Sequence, residues 1–371
     1  MPDYNRILHL VSPDGNWEPF ARVAAIAASL REQGYGSALT APDHSRLWEL
    51  AEAVGVEVVD YTLERSINPL RWRDLASVIQ GTGAGIIHAH DAESAVQLGR
   101  AKMFLKEVGI ITSRYDLQDQ PGSAEFGGGV DMVISPSQAM ADAMKNRGAA
   151  AEKVRVVYDG ASQAMAERSS GERDVIRAHY RDQYCPQKEK PLFLVAIAPL
   201  DGAGGQADIL TIMPDVLAAL PQAHLFLMGE GAARAELERQ INITAIEKEV
   251  TILEPDKAFH RLLAGADLYI AAGREDVSGF MVQAAMMAGR GVAARRSGCY
   301  PELLEDGKSG VFASGDSPED LKAAVMDLLQ NRNRREQIGK LAHARAVKKF
   351  NLSDMAVQIA EIYREVIAKM Q

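Results

Sequence analysis

The sequence predicts an α/β protein of two domains, each built on a parallel sheet. Short apolar runs alternate with helical stretches along the whole chain, which is typical of βαβ units. The length of 371 residues suits two domains rather than one. The alternation pauses in a polar stretch at 159–190, so we expect the domains to meet there.

Apolar runs in the first half predict strands that are separated by helices. Gly34 is a glycine stop for the first helix, and Ser137 is a predicted N-cap. The predicted strands are Arg6–Val11, Ser37–Ala41, Val56–Asp60, Gly85–His88, Ile110–Ser113, Met132–Ser135 and Val154–Val157. The predicted helices are Trp17–Gln33, Ser45–Ala53, Leu70–Gln80, Glu93–Val108 and Ser137–Arg147.

The second half repeats this pattern after a polar stretch that reads as a linker with a short helix. The predicted strands are Leu192–Ala198, His224–Met228, Val250–Leu253, Leu268–Ala271, Gly291–Ala294 and Gly310–Phe312. The predicted helices are Asp208–Leu220, Ala232–Gln240, Lys257–Ala264, Gly279–Ala288, Pro318–Asn331, Arg334–Phe350 and Ser353–Met370. The whole pattern therefore predicts two similar domains.

Composition narrows the class of function. A net charge of −9 argues against a nucleic-acid surface. Two cysteines, Cys185 and Cys299, fit a reducing compartment, and the apolar runs are too short to span a membrane. The amino terminus lacks a signal-peptide pattern. We therefore expect a cytoplasmic protein.

A basic stretch at Arg332–Lys349 leaves two interpretations open. Basic helices can dock on anionic membranes, which would make the protein membrane-peripheral. A solvated helix face explains the same residues, and the absence of aromatic residues on the basic face favours it.

Five blocks of sequence, taken in order, resemble a known family. They are IIHAHDAES (86–94), VDMVISPSQAMADAMKNRG (130–148), LFLMGEGAARAELERQI (225–241), ADLYIAAGREDVSGFMVQAAMMAGRGVAA (266–294) and SGCYPELLEDGKSGVFASGDSPEDLKAAVMDLL (297–329). Their order and spacing resemble the retaining glycosyltransferases of the GT-B fold, family 4. The resemblance implies two Rossmann-like domains that face each other across a cleft, with a C-terminal helix that crosses back to the first domain.

The resemblance also implies what each domain does. The acceptor domain would comprise residues 1–165 with the crossover helix 353–371, residues 166–190 would form the linker, and residues 191–352 would bind the nucleotide-sugar donor. The implied reaction moves a sugar from a nucleotide diphosphate to an acceptor, without a metal ion or other cofactor. The acceptor would be a cell-surface polysaccharide, a glycolipid or a small molecule.

Site residues are carried over from the family by position. Aligned on Met286–Gly289, the first of two family glutamates falls on Asp276, which would contact the donor sugar, and the second falls on Ala284. Arg114 falls on the family's acceptor-side histidine, so Arg114 and Asp276 are the catalytic candidates. The predicted donor-side set is Gly204, Gly229, Gly231, Arg274, Glu275, Asp276, Ser278, Gly279 and Glu302, and the acceptor-side set is Asp14, Gly15 and His90.

The chain departs from the family where the donor diphosphate would bind. The family has an arginine and a lysine there, and these positions fall on Pro199 and Gly204. Loss of one such group typically costs roughly 10²–10³ in rate. Arg274, Arg295 and Arg296 follow nearby strands and are candidate replacements, as are the amides of the glycine loop 202–205.

Several signals keep a structural interpretation beside the functional one. Gly229 and Gly231 suit a tight turn as well as a nucleotide contact, and Glu275 and Asp276 suit a helix cap as well as a sugar contact. No motif of further ligand residues at the spacing of a metal site accompanies His88 and His90, so strand-end packing is favoured over a metal site.

Two further functions stay open. The departures at Arg114, Pro199, Gly204 and Ala284 also fit a catalytically silent GT-B homologue that binds a carbohydrate or a protein as a regulator. A nucleotide-sugar epimerase is the third alternative, but the carboxylate and histidine set that it would need is not found.

Overall fold

The computed structural model describes residues 2–12, 17–115, 126–127, 129–161, 170–255 and 259–370. The chain divides into two compact units, Met1–Gly160 with Leu352–Gln371, and Ala161–Asn351. Each unit has its own parallel sheet, which confirms the α/β prediction of two Rossmann-like halves.

The first unit contains a seven-stranded sheet of order β3-β2-β1-β4-β5-β6-β7. Its strands are β1 (Asp3–Leu10), β2 (Gly36–Ala41), β3 (Glu57–Asp60), β4 (Ala84–Ala89), β5 (Gly109–Ser113), β6 (Met132–Ser135) and β7 (Val154–Val156). Its helices are α1 (Trp17–Ser29), α2 (Arg46–Ala53), α3 (Pro69–Thr82), α4 (Ala92–Ala101), α5 (Gln138–Asn146) and, from the end of the chain, α14 (Leu352–Met370).

Local signals explain most of these boundaries. The Ser137 hydroxyl accepts the Met140 amide at 2.9 Å, which confirms the predicted N-cap of α5. The prediction of a helix through Val108 is wrong. Helix α4 ends at Ala101, a 3₁₀ turn follows at Lys102–Phe104, and the Lys102 ammonium donates to the Val108 carbonyl at 2.9 Å.

The second unit contains a six-stranded sheet of order β10-β9-β8-β11-β12-β13. Its strands are β8 (Leu192–Ile197), β9 (Ala223–Met228), β10 (Val250–Leu253), β11 (Leu268–Ala271), β12 (Gly291–Ala294) and β13 (Val311–Phe312). Its helices are α6 (Ser170–Tyr184), α7 (Gln206–Ala219), α8 (Arg234–Ile243), α9 (Phe259–Gly265), α10 (Phe280–Met287), α11 (Tyr300–Leu303), α12 (Pro318–Gln330) and α13 (Arg332–Lys349).

Helix α6 occupies most of the stretch predicted as a linker, and it packs on the second unit. Arg177 donates to Asp267 at 2.7 Å, and Arg173 donates to the Ala266 carbonyl at 2.8 Å. These contacts tie α6 to the start of β11.

The last helix, α14, belongs to the first unit, as predicted. Its buried face carries Met355, Ile359, Tyr363 and Val366, which pack in one apolar cluster with residues of β1, β4 and β5. Gly109 is the close-contact point, since an added Cβ there would lie 2.6 Å from a Val366 methyl group.

No helix among the described residues is long and apolar enough to cross a membrane.

Candidate functional site

The strand order of the second sheet places the candidate donor site. The order reverses between β8 and β11, and in open α/β sheets ligands bind outside the carboxyl ends of the strands at such a switch point. The loops that follow β8 and β11 therefore flank the expected site. They are bonded to each other, because the Arg274 amide donates to the Ala203 carbonyl at 3.0 Å.

The loop after β8 brings the start of α7 to this edge. Gly205 is left-handed at φ +78°, and an added Cβ would lie 2.2 Å from the Ala272 carbonyl oxygen, so only glycine fits there. Helix α7 then starts without a side-chain cap, because its N-cap residue, Gly205, has no side chain. The Gln206 side-chain amide donates to the Ala198 and Pro199 carbonyls. Its positive end lies at the switch point.

Gly229 and Gly231 serve a close approach between two loops. An added Cβ would lie 2.1 Å from the Ala198 oxygen at Gly229 and 2.4 Å from the Leu200 oxygen at Gly231. The Leu200 amide also donates to the Glu230 carbonyl at 2.9 Å. Packing alone therefore requires both glycines, and their contact with a nucleotide stays a prediction.

Asp276 caps the loop that enters α10. Its Oδ1 atom accepts the Ser278 amide at 3.0 Å and the Gly279 amide at 2.8 Å, and Gly279 is the N-cap residue of the helix. Asp276 is half-buried, Glu275 is exposed, and the Ser278 side chain is buried. The capping interpretation is therefore realised in the geometry, and the sugar contact stays a prediction.

Tyr300 lies beside Asp276 and was not predicted from the sequence. An added Cβ at Gly273 would lie 2.9 Å from the Tyr300 hydroxyl and 3.6 Å from the Asp276 Cβ. Burial, and then the charge of Asp276, hold the pKa of Tyr300 well above its usual value. A tyrosine in the SGCYPELL run carries no distinctive signal, so only the fold could identify it.

The arginines proposed as replacement cations are all engaged with carboxylates. The Asp208 Oδ2 atom accepts Arg274 Nη2 at 3.0 Å and also accepts Arg295 Nη2. Arg296 binds Asp306 at 2.6 Å and stacks on the Phe312 ring. The cluster of Arg274, Asp208 and Arg295, called the arginine cluster below, keeps one net positive charge.

Two predicted donor-side residues have less support in the geometry. Glu302 lies in the first turn of the short helix α11, whose N-cap position is Cys299, and its contact with the donor stays a prediction. Gly204 packs on its own loop, since an added Cβ would lie 2.5 Å from the Gln206 amide nitrogen.

Ala284 and its neighbour Gln283 are both fully buried in α10. Both side-chain amide atoms of Gln283 lack a hydrogen-bond partner among the described residues. Gln283 therefore does not present its amide at the surface as a substitute for the glutamate that the family has at position 284.

In the first unit, the strand order reverses between β1 and β4, and Arg114 follows the neighbouring β5. Arg114 is buried, and its charge opposes the burial that raises the pKa of Asp91. Asp91 in turn caps α4 by accepting the Ser94 amide at 2.8 Å. Asp14 and Gly15 lie outside the described residues.

His90 belongs to a buried cluster of three histidines, of which the sequence indicated only His88 and His90. His9 on β1 is paired in register with His88 on β4, and His88 and His90 point to the same side of the strand. The three rings are almost completely buried, and His9 Nδ1 lies 2.8 Å from His90 Nε2. The parallel pairing of the two strands, had it been known, would have identified His9.

Every ring nitrogen of this cluster has a partner. Besides the bond between His9 and His90, the partners are the hydroxyls of Ser37, Tyr115, Ser113 and Tyr363. Burial lowers the pKa of His9 to about 3 and lowers the pKa values of His88 and His90 well below 6.5. The nitrogens lie close enough together to suggest a metal ion, but a neutral hydrogen-bond network satisfies all of them.

Comparison with known families decides the class of the chain. The family described as "Glycosyl transferases group 1" matches residues 181–345. The family described as "Glycosyltransferase Family 4" matches residues 21–163. The chain belongs to the family 4 glycosyltransferases of the GT-B fold.

Two curated glycosyltransferases match part of the chain. The sulfoquinovosyl transferase SQD2 of Arabidopsis thaliana is 26% identical over 59% of this chain and 41% of its own length. The GDP-mannose-dependent alpha-(1-6)-phosphatidylinositol monomannoside mannosyltransferase of Mycolicibacterium smegmatis is 25% identical over 50% of each chain. The match thus spans about half the length of these relatives or less.

Solved structures extend the likeness of fold to nearly the whole chain. The structure of Anabaena HepE in complex with UDP-glucose has a TM-score of 0.83 and 20% identity, and the match covers 97% of this chain and 99% of that chain. At this identity the comparison establishes the GT-B fold of this family 4 member.

The second unit of this family member thus departs from the family pattern at the switch-point edge of its sheet. At the loop after β8, where the family resemblance implies an arginine and a lysine, Pro199 and Gly204 provide no charge. The arginine cluster supplies positive charge from β11, through Arg274, and from β12, through Arg295. The sequence could indicate these arginines but not their shared partner, Asp208.

Proposed function

We propose that this chain is a glycosyltransferase that transfers a sugar from a nucleotide-diphosphate donor, and that the donor binds at the edge of the second sheet. Family membership supports the class of reaction. The arginine cluster, beside the uncapped start of α7, supports the position of the diphosphate. This single observation carries the proposal, because it restores a positive centre where the family's own cations are missing.

The chemistry needs such a centre. As the bond from the sugar carbon to the diphosphate breaks, negative charge grows on the leaving oxygen, and the acceptor oxygen forms the new bond to the same carbon. The acceptor's proton passes to the departing phosphate. The Arg274 guanidinium and the amides of α7 stabilise the growing charge, so the reaction needs no metal ion, and we assign it the retaining outcome.

Asp276 has a double role in this proposal. One oxygen of its carboxylate holds the two amides that start α10, which fixes the side chain in place. A carboxylate accepts more than two hydrogen bonds, so Asp276 can also accept a hydroxyl of the donor sugar. Tyr300 lies beside this carboxylate. The first unit binds the acceptor near His90 and Arg114.

The relatives suggest which donors to test first. HepE was solved with UDP-glucose, and the mycobacterial mannosyltransferase is named as GDP-mannose-dependent. UDP-glucose and GDP-mannose are therefore the first two donor probes. The name of that enzyme also includes phosphatidylinositol monomannoside, so a lipid-linked sugar is one of the acceptor classes to test.

Nucleotide binding tests the proposal. Thermal-shift measurements with UDP, GDP and ADP should show stabilisation by one of them, because a ligand that binds the native state raises its melting temperature. Slow hydrolysis of the matching nucleotide-sugar should follow without an acceptor. No response to any nucleotide at millimolar concentration would contradict a donor site.

A catalytically silent homologue is the second candidate. The burial of Ala284 and the engagement of Arg274, Arg295 and Arg296 with carboxylates favour it. In that case nucleotide binding would persist without turnover, or a carbohydrate or protein partner would bind in its place. Binding of UDP-glucose with no hydrolysis and no transfer to a panel of sugar and lipid acceptors would support this candidate.

A further inference from the structure

We propose that Asp208 is a built-in competitor for the donor diphosphate. In the free protein its carboxylate holds Arg274, the guanidinium that the diphosphate needs, and thereby weakens nucleotide binding. The inference rests on the proposed function and adds a residue that limits affinity at the same site.

One carboxylate oxygen holds both guanidiniums. The Asp208 Oδ2 atom lies 3.0 Å from Arg274 Nη2 and also accepts Arg295 Nη2. Asp208 is in the first turn of α7, where a negative charge is also favoured by the helix dipole. An anion that binds at this end of α7 therefore meets a carboxylate that already uses the same positive groups.

The two arginines of the cluster differ in how easily they can separate from Asp208. Arg295 is fixed, because only 1% of its side chain is exposed and it also donates to the Asp316 carbonyl. Arg274 is 50% exposed. An ion pair with an exposed partner contributes little to stability, so Arg274 can exchange partners at little cost. Separation of Asp208 from Arg295 would instead leave a buried charge unpaired.

Because of its position, Arg274 can change from one partner to the other by moving its side chain alone. Its backbone amide is bonded to the Ala203 carbonyl at 3.0 Å, beside the loop that lost the family's cations. The long side chain can therefore turn from Asp208 to a phosphate at the start of α7 while its backbone stays in place. A diphosphate offers more charge and more acceptor oxygens than one carboxylate.

The exchange has a consequence for turnover. Once the sugar has been transferred, the nucleotide diphosphate must leave, and Asp208 recaptures Arg274 as it does so. The carboxylate thus weakens product binding as well as donor binding.

Asp208→Asn tests the inference. This change removes the charge and keeps a hydrogen-bonding side chain of the same shape. Isothermal titration with UDP should give a dissociation constant about tenfold lower than that of the wild type, as expected when one opposing charge is removed near a bound anion. Asp327→Asn is the matched control, since Asp327 pairs with Arg334 at 2.9 Å on the surface of the same unit, and it should leave the constant within about twofold.

A second variant tests the inference if the first fails to fold. Asp208→Asn combined with Arg295→Met removes the buried charge together with its partner and leaves Arg274 available, so it should also bind UDP more tightly than the wild type. Adding Arg274→Gln to either variant should abolish the gain.

Two results would overturn the inference. If the wild type binds UDP but both folded Asp208 variants bind it equally or more weakly, Asp208 only holds the arginines in place, and the proposed function is unaffected. If neither the wild type nor the variants bind UDP, GDP or ADP, the donor site fails as well.

Discussion

At the scale of single residues, the proposed sugar contact of the second unit depends on Asp276 and its neighbour Tyr300. One carboxylate oxygen of Asp276 accepts hydrogen bonds from two backbone amides, and these bonds hold the carboxylate at the switch point. The sequence could predict Asp276 because its block has a family counterpart. It could not predict Tyr300, or Asp208 as the partner of two arginines, because those contacts join residues far apart in the chain.

Substitution of Asp276 should separate its two roles. Asp276→Ala should weaken UDP-glucose binding at least about tenfold and UDP binding less than about threefold, because only UDP-glucose has the hydroxyls of the transferred glucose. Its lost cap should also cost about 1 kcal/mol of stability. Asp276→Asn keeps the capping oxygen and is the matched control for stability. Equal losses for both ligands would contradict the assigned sugar contact.

At the scale of elements, the loop between β8 and α7 shows what the sequence could and could not provide. The glycines at 202–205 predicted a loop whose amides could bind an anion, and the apolar runs located β8 and α7 to within a few residues. The helix through Val108 was overextended because 3₁₀ geometry and the lysine contact that ends α4 leave no mark in hydrophobic periodicity. Helix α6, in the polar stretch 159–190, depends on long-range pairs with Asp267.

Two alanine substitutions in this loop should reduce the stability of the protein by different amounts. At Gly202, φ is +92° and no atom lies within 4 Å of an added Cβ, so Gly202→Ala should cost about 1–2 kcal/mol of backbone strain alone. At Gly205, the added Cβ would also meet the Ala272 carbonyl at 2.2 Å, so Gly205→Ala should cost clearly more. Thermal unfolding of both variants measures the difference, and equal melting temperatures would show that the loop adapts freely.

The docking of α14 is a second element-scale feature that can be tested. The Tyr363 hydroxyl lies 2.8 Å from His88 Nδ1 in the buried cluster. Tyr363→Phe leaves the ring in place and removes this bond, so it should reduce the free energy of unfolding by about 1–3 kcal/mol. Gln358→Ala on the exposed side of the same helix is the control and should change stability by less than about 0.5 kcal/mol. Equal effects of the two changes would contradict a contribution from the hydrogen bond.

At the scale of the whole molecule, the buried histidines of the first unit predict how the stability of the chain responds to acid. The first unit contains three buried neutral histidines, and His9 has a folded pKa of about 3. Above pH 6.5 the histidines are neutral both in the folded and in the unfolded chain, so their contribution is fully present. Below that pH the unfolded chain gains protons that the folded unit cannot accept, and stability falls as pH drops from about 6.5 towards 3.

The acid response can be measured on the intact chain. Each such histidine should reduce the free energy of unfolding by about 1.4 kcal/mol per pH unit in this window. His9→Gln should therefore flatten the dependence of the melting temperature on pH between 7 and 5. His44→Gln, at a side chain that is 93% exposed, should leave the dependence unchanged, and identical slopes for the two variants would contradict the buried-network account.

We propose that the arginine cluster replaces the cations missing from the loop after β8. Titration of UDP, GDP and ADP at low salt into the wild type, Arg274→Gln and the surface control Arg334→Gln measures this replacement. We expect one nucleotide to bind the wild type and the control alike, and to bind Arg274→Gln at least about tenfold more weakly. Equal affinity in all three proteins, or no binding to the wild type, would contradict it.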